Sequence, residues 1–294
     1  MKVPKPLLMT KLMSIGLRVA PDRTPAEAGL AYEDVAFTAS DHLGIKGWFV
    51  PAPAADGAER GPVVLFVHGW MWNRMGNVAG RVPFKDADVD FLPAVKALHD
   101  AGFHVLLFDL VNHGVSGSRP PITYGQWEAR DMLGAVAYLR TRDDVDGDRI
   151  GVIGTSMGGN TALWAAPYCQ PIKAILAVQP TRAGDFTARF AADQLGKLGT
   201  TMVKPIDWMY AAMRAPRPSK ADPAIPARLL TDTMVKYVQG TGDPWGTMQN
   251  VQDMVDASPR TLPLVKYPST GRYEGYRYVN EQTEDVAAFF REYL

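Results

Sequence analysis

The sequence predicts an α/β fold: a mostly parallel central sheet of about eight strands, with helices on both faces and a helical insertion past the middle of the chain. Three observations carry this. Apolar runs of strand length alternate with stretches of helical periodicity, the pattern of a parallel sheet covered on both sides. The segment Gly154-Thr155-Ser156-Met157-Gly158 stands between one such run and a helix-forming stretch. Residues 181–233 separate two core strands by far more than the usual short connection.

In chain order, Leu8, Leu12, Ile15 and Val19 recur at helical spacing and predict a short amphipathic helix. It belongs to an N-terminal arm, residues 1–30, packed on its own domain. Lys2 and Lys5 precede an apolar run, but Lys11 interrupts it and no small-x-small site follows. A secretory signal is therefore not expected. Residues 31–40, with Val35 and Phe37 alternating, and residues 43–50 predict an edge hairpin around Asp41-His42. Residues 51–61 are rich in Pro, Ala and Gly and read as a loop.

Buried strands follow at 63–67, 104–110, 150–153, 172–178, 236–239 and 262–267. Helices are expected at 92–101, 124–140 and 157–166. A last helix over 281–293 carries Val286, Phe289, Phe290 and Tyr293 on one face. Residues 31–180 and 234–294 thus form the core, and 181–233 a helical cap over the C-terminal edge of the sheet.

Composition bounds the partners. With 47% hydrophobic and 21% charged residues, the chain can build a substantial globular core. Lys plus Arg equals Asp plus Glu at 31 each, so no global field draws it to nucleic acid or acidic membranes. No apolar run reaches the ~20 residues of a transmembrane helix. The single cysteine, Cys169, excludes an internal disulfide. A cytoplasmic location is expected, and a homodimer stays open.

Chemistry concentrates around Ser156. A tight turn from a buried strand into a helix lifts this hydroxyl above the sheet, and the flanking glycines relieve the close backbone approach. The amide of Met157 follows directly and is one expected oxyanion donor. A second is expected from Trp70, just after the strand ending at His68-Gly69. Preorganised donors of this kind contribute ~3–4 kcal/mol each to acyl transfer. The turn Asn112-His113-Gly114-Val115-Ser116 reads as structural.

The strand running into His68-Gly69, the turn from Asp109 to Ser116, the Gly154–Gly159 segment and Gly240-Thr241-Gly242-Asp243 together resemble the α/β-hydrolase superfamily. The similarity covers residues 31–294, nearest to its esterase, dienelactone-hydrolase and serine-peptidase-like branch. It implies Ser156 as nucleophile and Asp243 as the acid of a triad. Asp243 suits that role, since a Gly-Asp-Pro turn past a buried strand aims a carboxylate over the sheet; an ordinary Asx turn is the other reading.

The superfamily's base should follow the last strand, and there this sequence departs. The loop reads Pro268-Ser269-Thr270-Gly271-Arg272-Tyr273-Glu274-Gly275, with Arg272 or Tyr273 where histidine is expected. Arginine stays protonated and offers no acceptor. All five histidines (His42, His68, His99, His104, His113) precede Ser156. His68 and His113 alone lie at C-terminal strand ends, and a buried structural role is expected for His68. Arg272 is expected to pair with Asp243.

No His/Cys/Asp/Glu group has metal-ligand spacing, so neither metal nor cofactor is expected. Trp70, Met71, Trp72 and Met75, with Trp208, Met209, Tyr210 and Met213 of the insertion, either line an apolar pocket or bind cap to core. The function expected is serine-hydrolase-type cleavage of a small ester or related acyl compound with an apolar portion, weakened by the substituted base. The alternative is a catalytically silent member of the same fold that binds a ligand or partner.

Overall fold

The computed structural model describes residues 5–53, 59–82, 84–169 and 171–294. It begins with helix α1 (Lys5–Ile15) and a hairpin of β1 (Glu33–Thr38) and β2 (Gly44–Val50). Strand β3 (Gly61–Val67) leads through the two-residue strands β4 (Gly76–Asn77) and β5 (Val89–Asp90) to helix α2 (Leu92–Asp100) and β6 (His104–Phe108). Then come α3 (Ala129–Leu139), β7 (Val145–Thr155), α4 (Met157–Ala165) and β8 (Ile172–Val178). Helices α5 (Ala183–Leu195), α6 (Val203–Ala212) and α7 (Ala224–Ala227) occupy the span before β9 (Met234–Gly240). The chain finishes with α8 (Met248–Ala257), β10 (Val265–Tyr267), α9 (Arg272–Gly275), α10 (Tyr278–Glu281) and α11 (Thr283–Tyr293).

Eight strands form one sheet in the order β1-β2-β6-β3-β7-β8-β9-β10. The β1–β2 and β2–β6 pairs are antiparallel, and the remaining pairs are parallel. The central strands read as unbroken apolar runs because both faces are covered. Along β3, Val63, Leu65 and Val67 enter one buried layer, while Val64 and Phe66 enter the other. This is the two-residue period of a strand. The first layer holds apolar residues of α3, α4 and α8; the second holds Ala94, Val95 and Leu98 of α2 with Val286, Phe289 and Phe290 of α11. Among the described residues no helix is long and apolar enough to cross a membrane.

Several elements differ from the sequence expectation: β7 runs Val145–Thr155 rather than 150–153, and three others differ for reasons the structure shows. Helix α1 buries Met9, Leu12 and Met13, while Ile15 is largely exposed, so its inward face is not the Leu8-Leu12-Ile15-Val19 stripe. Helix α3 starts at Ala129, not near Tyr124, because Tyr124 (φ 56°) and Gly125 (φ 122°) take left-handed backbone that a helix cannot contain. The Glu128 carboxylate then accepts the Thr123 and Gly125 amides, both at 2.9 Å. Strand β10 begins at Val265, past Pro263, which has no N–H for a ladder.

Candidate active site

The parallel strands bring several chain reversals to one edge of the sheet. Between β7 and α4 stands Ser156, with φ 53° and ψ −118°, a strained conformation for a residue with a side chain. The glycines around it are required by contact. A Cβ on Gly158 would lie 1.9 Å from the Val67 carbonyl oxygen, and one on Gly154 would lie 2.5 Å from that of Gly158. The turn is held by the Ser156 amide, which donates to the Val178 carbonyl at 2.8 Å. Met157 opens α4, so its amide has no carbonyl one turn back to donate to.

Asp243 stands just past β9. Its carboxylate is fully buried; Oδ1 accepts the Trp245 amide at 2.9 Å, and Oδ2 accepts Gln239 Nε2 at 3.1 Å. Arg272, the first residue of α9, donates from Nη1 to Asp243 Oδ2. Its Nη2 donates to Ser156 Oγ at 2.9 Å and to the Gln179 carbonyl at 3.1 Å. One guanidinium therefore spans from the carboxylate to the serine, where an imidazole would be expected. Burial pulls the Arg272 pKa down, but the Asp243 charge together with Tyr276 and Tyr273 more than offsets this and holds it above the ordinary arginine value.

Gln179 was not legible as a site residue from sequence. It ends the apolar run of β8 at φ 52°, and its Nε2 donates to the Arg272 carbonyl at 2.7 Å. Backbone and side chain of Gln179 together grip Arg272 at two points. Asn160 plays a similar part on the other side: its Nδ2 donates to the Tyr124 and Thr181 carbonyls, and its Oδ1 accepts the Thr181 amide.

The cavity at Ser156 is walled by Trp70, Trp72, Phe84, Phe186, Trp245 and Tyr276. Met157 and Arg272 also face it. Trp70 meets Phe186 edge-on at 5.6 Å, and Trp72 meets Tyr276 edge-on at 4.9 Å, so the wall is built from two groups of aromatic rings in contact. Tyr276 on this lining turns its hydroxyl toward Ser156 and Arg272, while the buried Thr181 Oγ1 has no hydrogen-bond partner among the described residues.

The insertion reaches the cavity through α5, by Ala183 and Phe186. Trp208, Met209 and Met213 do not line it, contrary to the sequence expectation. Helix α6 points Ile206 and Tyr210 inward, and the Tyr210 hydroxyl donates to the Ile122 carbonyl at 2.6 Å. The helical period then turns Trp208 outward, 70% exposed, and leaves Met213 exposed and Met209 half-buried against the core. Phe186 and Trp245 take the places assigned to them. Nothing in local periodicity marks either residue, since both owe their position to tertiary packing.

The histidines nearest the site are structural. His68 accepts the Leu110 amide on Nε2 at 3.0 Å and donates from Nδ1 to the Gly69 carbonyl. His113 donates from Nδ1 to the Val111 carbonyl at 2.9 Å. Burial pushes both pKa values down, that of His113 to about 3. Beside them burial raises the pKa of the Asp109 carboxylate, but Arg74, paired with it at 2.8 Å, together with His68 and the Val115 amide holds it below the ordinary value.

A pH effect on stability follows. The folded pKa of His113 lies below its unfolded value, ~6.5. The neutral ring thus contributes stability fully present above that pH and lost as pH falls toward 3. Between pH 6.5 and 5, wild type should lose ~1.1 kcal/mol per unit relative to His113→Gln. Parallel urea titrations of the two proteins with a constant difference in midpoint would contradict this.

Comparison with known proteins follows the same lines. A family model described as "Alpha/beta hydrolase family" matches residues 64–293. The uncharacterized protein YfhR of Salmonella typhi is 31% identical over 146 residues, 50% of this chain and 43% of that protein. The thiohydrolase aneE of Aspergillus aculeatus is 25% identical over 189 residues, 64% of this chain and 54% of that protein. The chain spans about half the length of these curated relatives. The solved esterase Pf2001 of Pyrococcus furiosus superposes with a TM-score of 0.70 at 22% identity, over 94% of this chain and 96% of that one. With the family model covering the strands β3 to β10 and the turns between them, the chain belongs to the alpha/beta hydrolase family.

Proposed function

We propose that the protein is an acyl hydrolase in which Ser156 attacks the carbonyl of a small ester or related acyl compound. The amides of Met157 and Trp70 hold the oxyanion, and Asp243 fixes Arg272 beside the nucleophile. One observation carries the reading: Ser156 Oγ, on its strained turn, opens into an aromatic cavity and is held at 2.9 Å by Arg272. A guanidinium there cannot accept the serine proton, but its positive charge favours the serine alkoxide. Residues 181–233 act as the cap, through α5. The family, a relative named as a thiohydrolase and a structural neighbour named as an esterase support a hydrolase-type function.

A second reading is favoured by the same contact: with Arg272 donating to Ser156 Oγ and no base beside it, the site would bind ligands without turning them over. A fluorophosphonate probe separates the two. Labelling of wild type at Ser156, absent in Ser156→Ala, supports the acyl hydrolase. An unlabelled serine in a protein that still binds an apolar ester establishes the silent form.

A further inference from the structure

The titratable side chains lining the cavity are Arg272, Tyr124, Tyr273 and Tyr276. Tyr124 already donates its proton to the Met13 carbonyl at 2.8 Å. Burial raises the pKa of all three tyrosines, that of Tyr276 to about 12, so each keeps its proton near neutrality. Among the described residues no histidine lines the cavity, and Asp243 lies behind Arg272, occupied by three donors. The groups around Ser156 therefore stabilise negative charge and none accepts the serine proton, while the Tyr124 hydroxyl is committed to Met13 and that of Tyr276 is turned to Ser156 and Arg272, away from a leaving group.

That combination selects substrates by their leaving group. In the tetrahedral intermediate two groups compete to depart, the serine oxygen and the original leaving group. Arg272 donates to the serine oxygen, which makes it the better of two alkoxides to leave. An alkoxide of ordinary basicity, like that of water at a pKa of ~15.7, then loses the competition unless an acid protonates it. A thiolate, at ~8.5, or a phenolate, at ~10, departs unaided.

We propose, on the reading that Ser156 is the nucleophile, that the site is specific for activated acyl compounds, namely thiol or aryl esters, and refuses alkyl esters and amides. The steps balance with hydroxide as the co-reactant. One hydroxide takes the Ser156 proton, giving water and an alkoxide held by Arg272. The Oγ–C bond forms, and the carbon–sulfur or carbon–oxygen bond to the leaving group breaks, its electron pair going with the thiolate or phenolate. A second hydroxide adds to the acyl carbon; the serine oxygen leaves with its bonding pair and takes the proton of the new carboxylic acid. The products are a carboxylate, the leaving anion and one water.

The test is a leaving-group series on one acyl chain, hexanoyl, with wild type and Ser156→Ala. It comprises a phenyl thiol ester, a p-nitrophenyl ester, a phenyl ester and an ethyl ester. The expected result is Ser156-dependent kcat/KM that falls steeply with leaving-group pKa, the ethyl ester lying ~10³-fold or more below the thiol ester. The rate should also rise with hydroxide from pH 6 to 9 without a plateau. The thiol ester and the phenyl ester arms, compared on one plot, show whether sulfur or the aryl ring is preferred. An ethyl ester turned over within ~10-fold of the phenyl ester overturns the proposal while leaving Ser156 as nucleophile. Loss of that ethyl ester turnover in Tyr276→Phe would then name Tyr276 as the proton carrier. Absence of Ser156-dependent turnover across the whole series overturns the acyl-hydrolase reading itself.

Discussion

Arg272→Met should destabilise the protein by ~3–5 kcal/mol, because it strands the buried Asp243 carboxylate without its cation. The two side chains are 0% and 4% exposed, so water cannot replace the lost charge. The Trp245 amide and Gln239 Nε2 remain as donors, but both are neutral. Adding Asp243→Asn should recover most of the loss, since the pair then disappears together. A urea-denaturation double-mutant cycle reads this directly. Single and double variants of equal stability would show that Asp243 tolerates isolation. The folded pKa of Arg272 lies above its unfolded value. Its contribution is therefore fully present below the ordinary arginine pKa and is lost only as pH rises through the higher folded value. Between pH 5 and 9 the gap between wild type and Arg272→Met should carry no slope from the arginine.

The second large effect is a gain. Arg272→His should raise Ser156-dependent hydrolysis of an ethyl ester by ~10²–10⁴, the usual contribution of general acid–base help. The imidazole can donate from Nδ1 to Asp243 Oδ2 and present Nε2 toward Ser156 Oγ, along the line the two Nη atoms now span. Unlike the guanidinium, it has a lone pair to accept the serine proton and a pKa of ~6.5 that allows its release. The new activity should fall on the acid side of that pKa, as the ring protonates. Tyr273→His is the control for placement, and it should gain nothing, because Tyr273 is not bonded to Asp243. An unchanged ethyl ester rate in a folded Arg272→His protein would mean that α9 holds the shorter side chain out of reach.

The sheet was legible in sequence because its strands are runs buried on both faces, and the turn at Ser156 because glycine contacts constrain it. The departure at Arg272 was legible too, since the five histidines could be counted and the loop after β10 read residue by residue. What periodicity could not supply was the partner of each face. Trp208 and Tyr210 are two residues apart and equally aromatic, yet one is exposed and the other buried. The choice depends on where the Ile122 carbonyl lies, 88 residues away in sequence. Gln179 likewise looks like an ordinary strand end until α9 packs beside it. Phe186 and Trp245 reach the cavity wall for the same reason.

Helix α1 adds a consequence for how the molecule is assembled. Its last turn accepts hydrogen bonds from Trp70 on the Leu12 carbonyl and from Tyr124 on the Met13 carbonyl, and the Tyr210 hydroxyl, its proton directed at Ile122, lies 3.2 Å from the same Met13 oxygen. The last of these joins residues 197 positions apart. Contacts so remote carry a loop-closure cost that local ones do not, and they form late. Trp70 and Tyr124 both line the cavity, so the wall is locked to α1 only when these remote contacts close, after the local turns around it have formed.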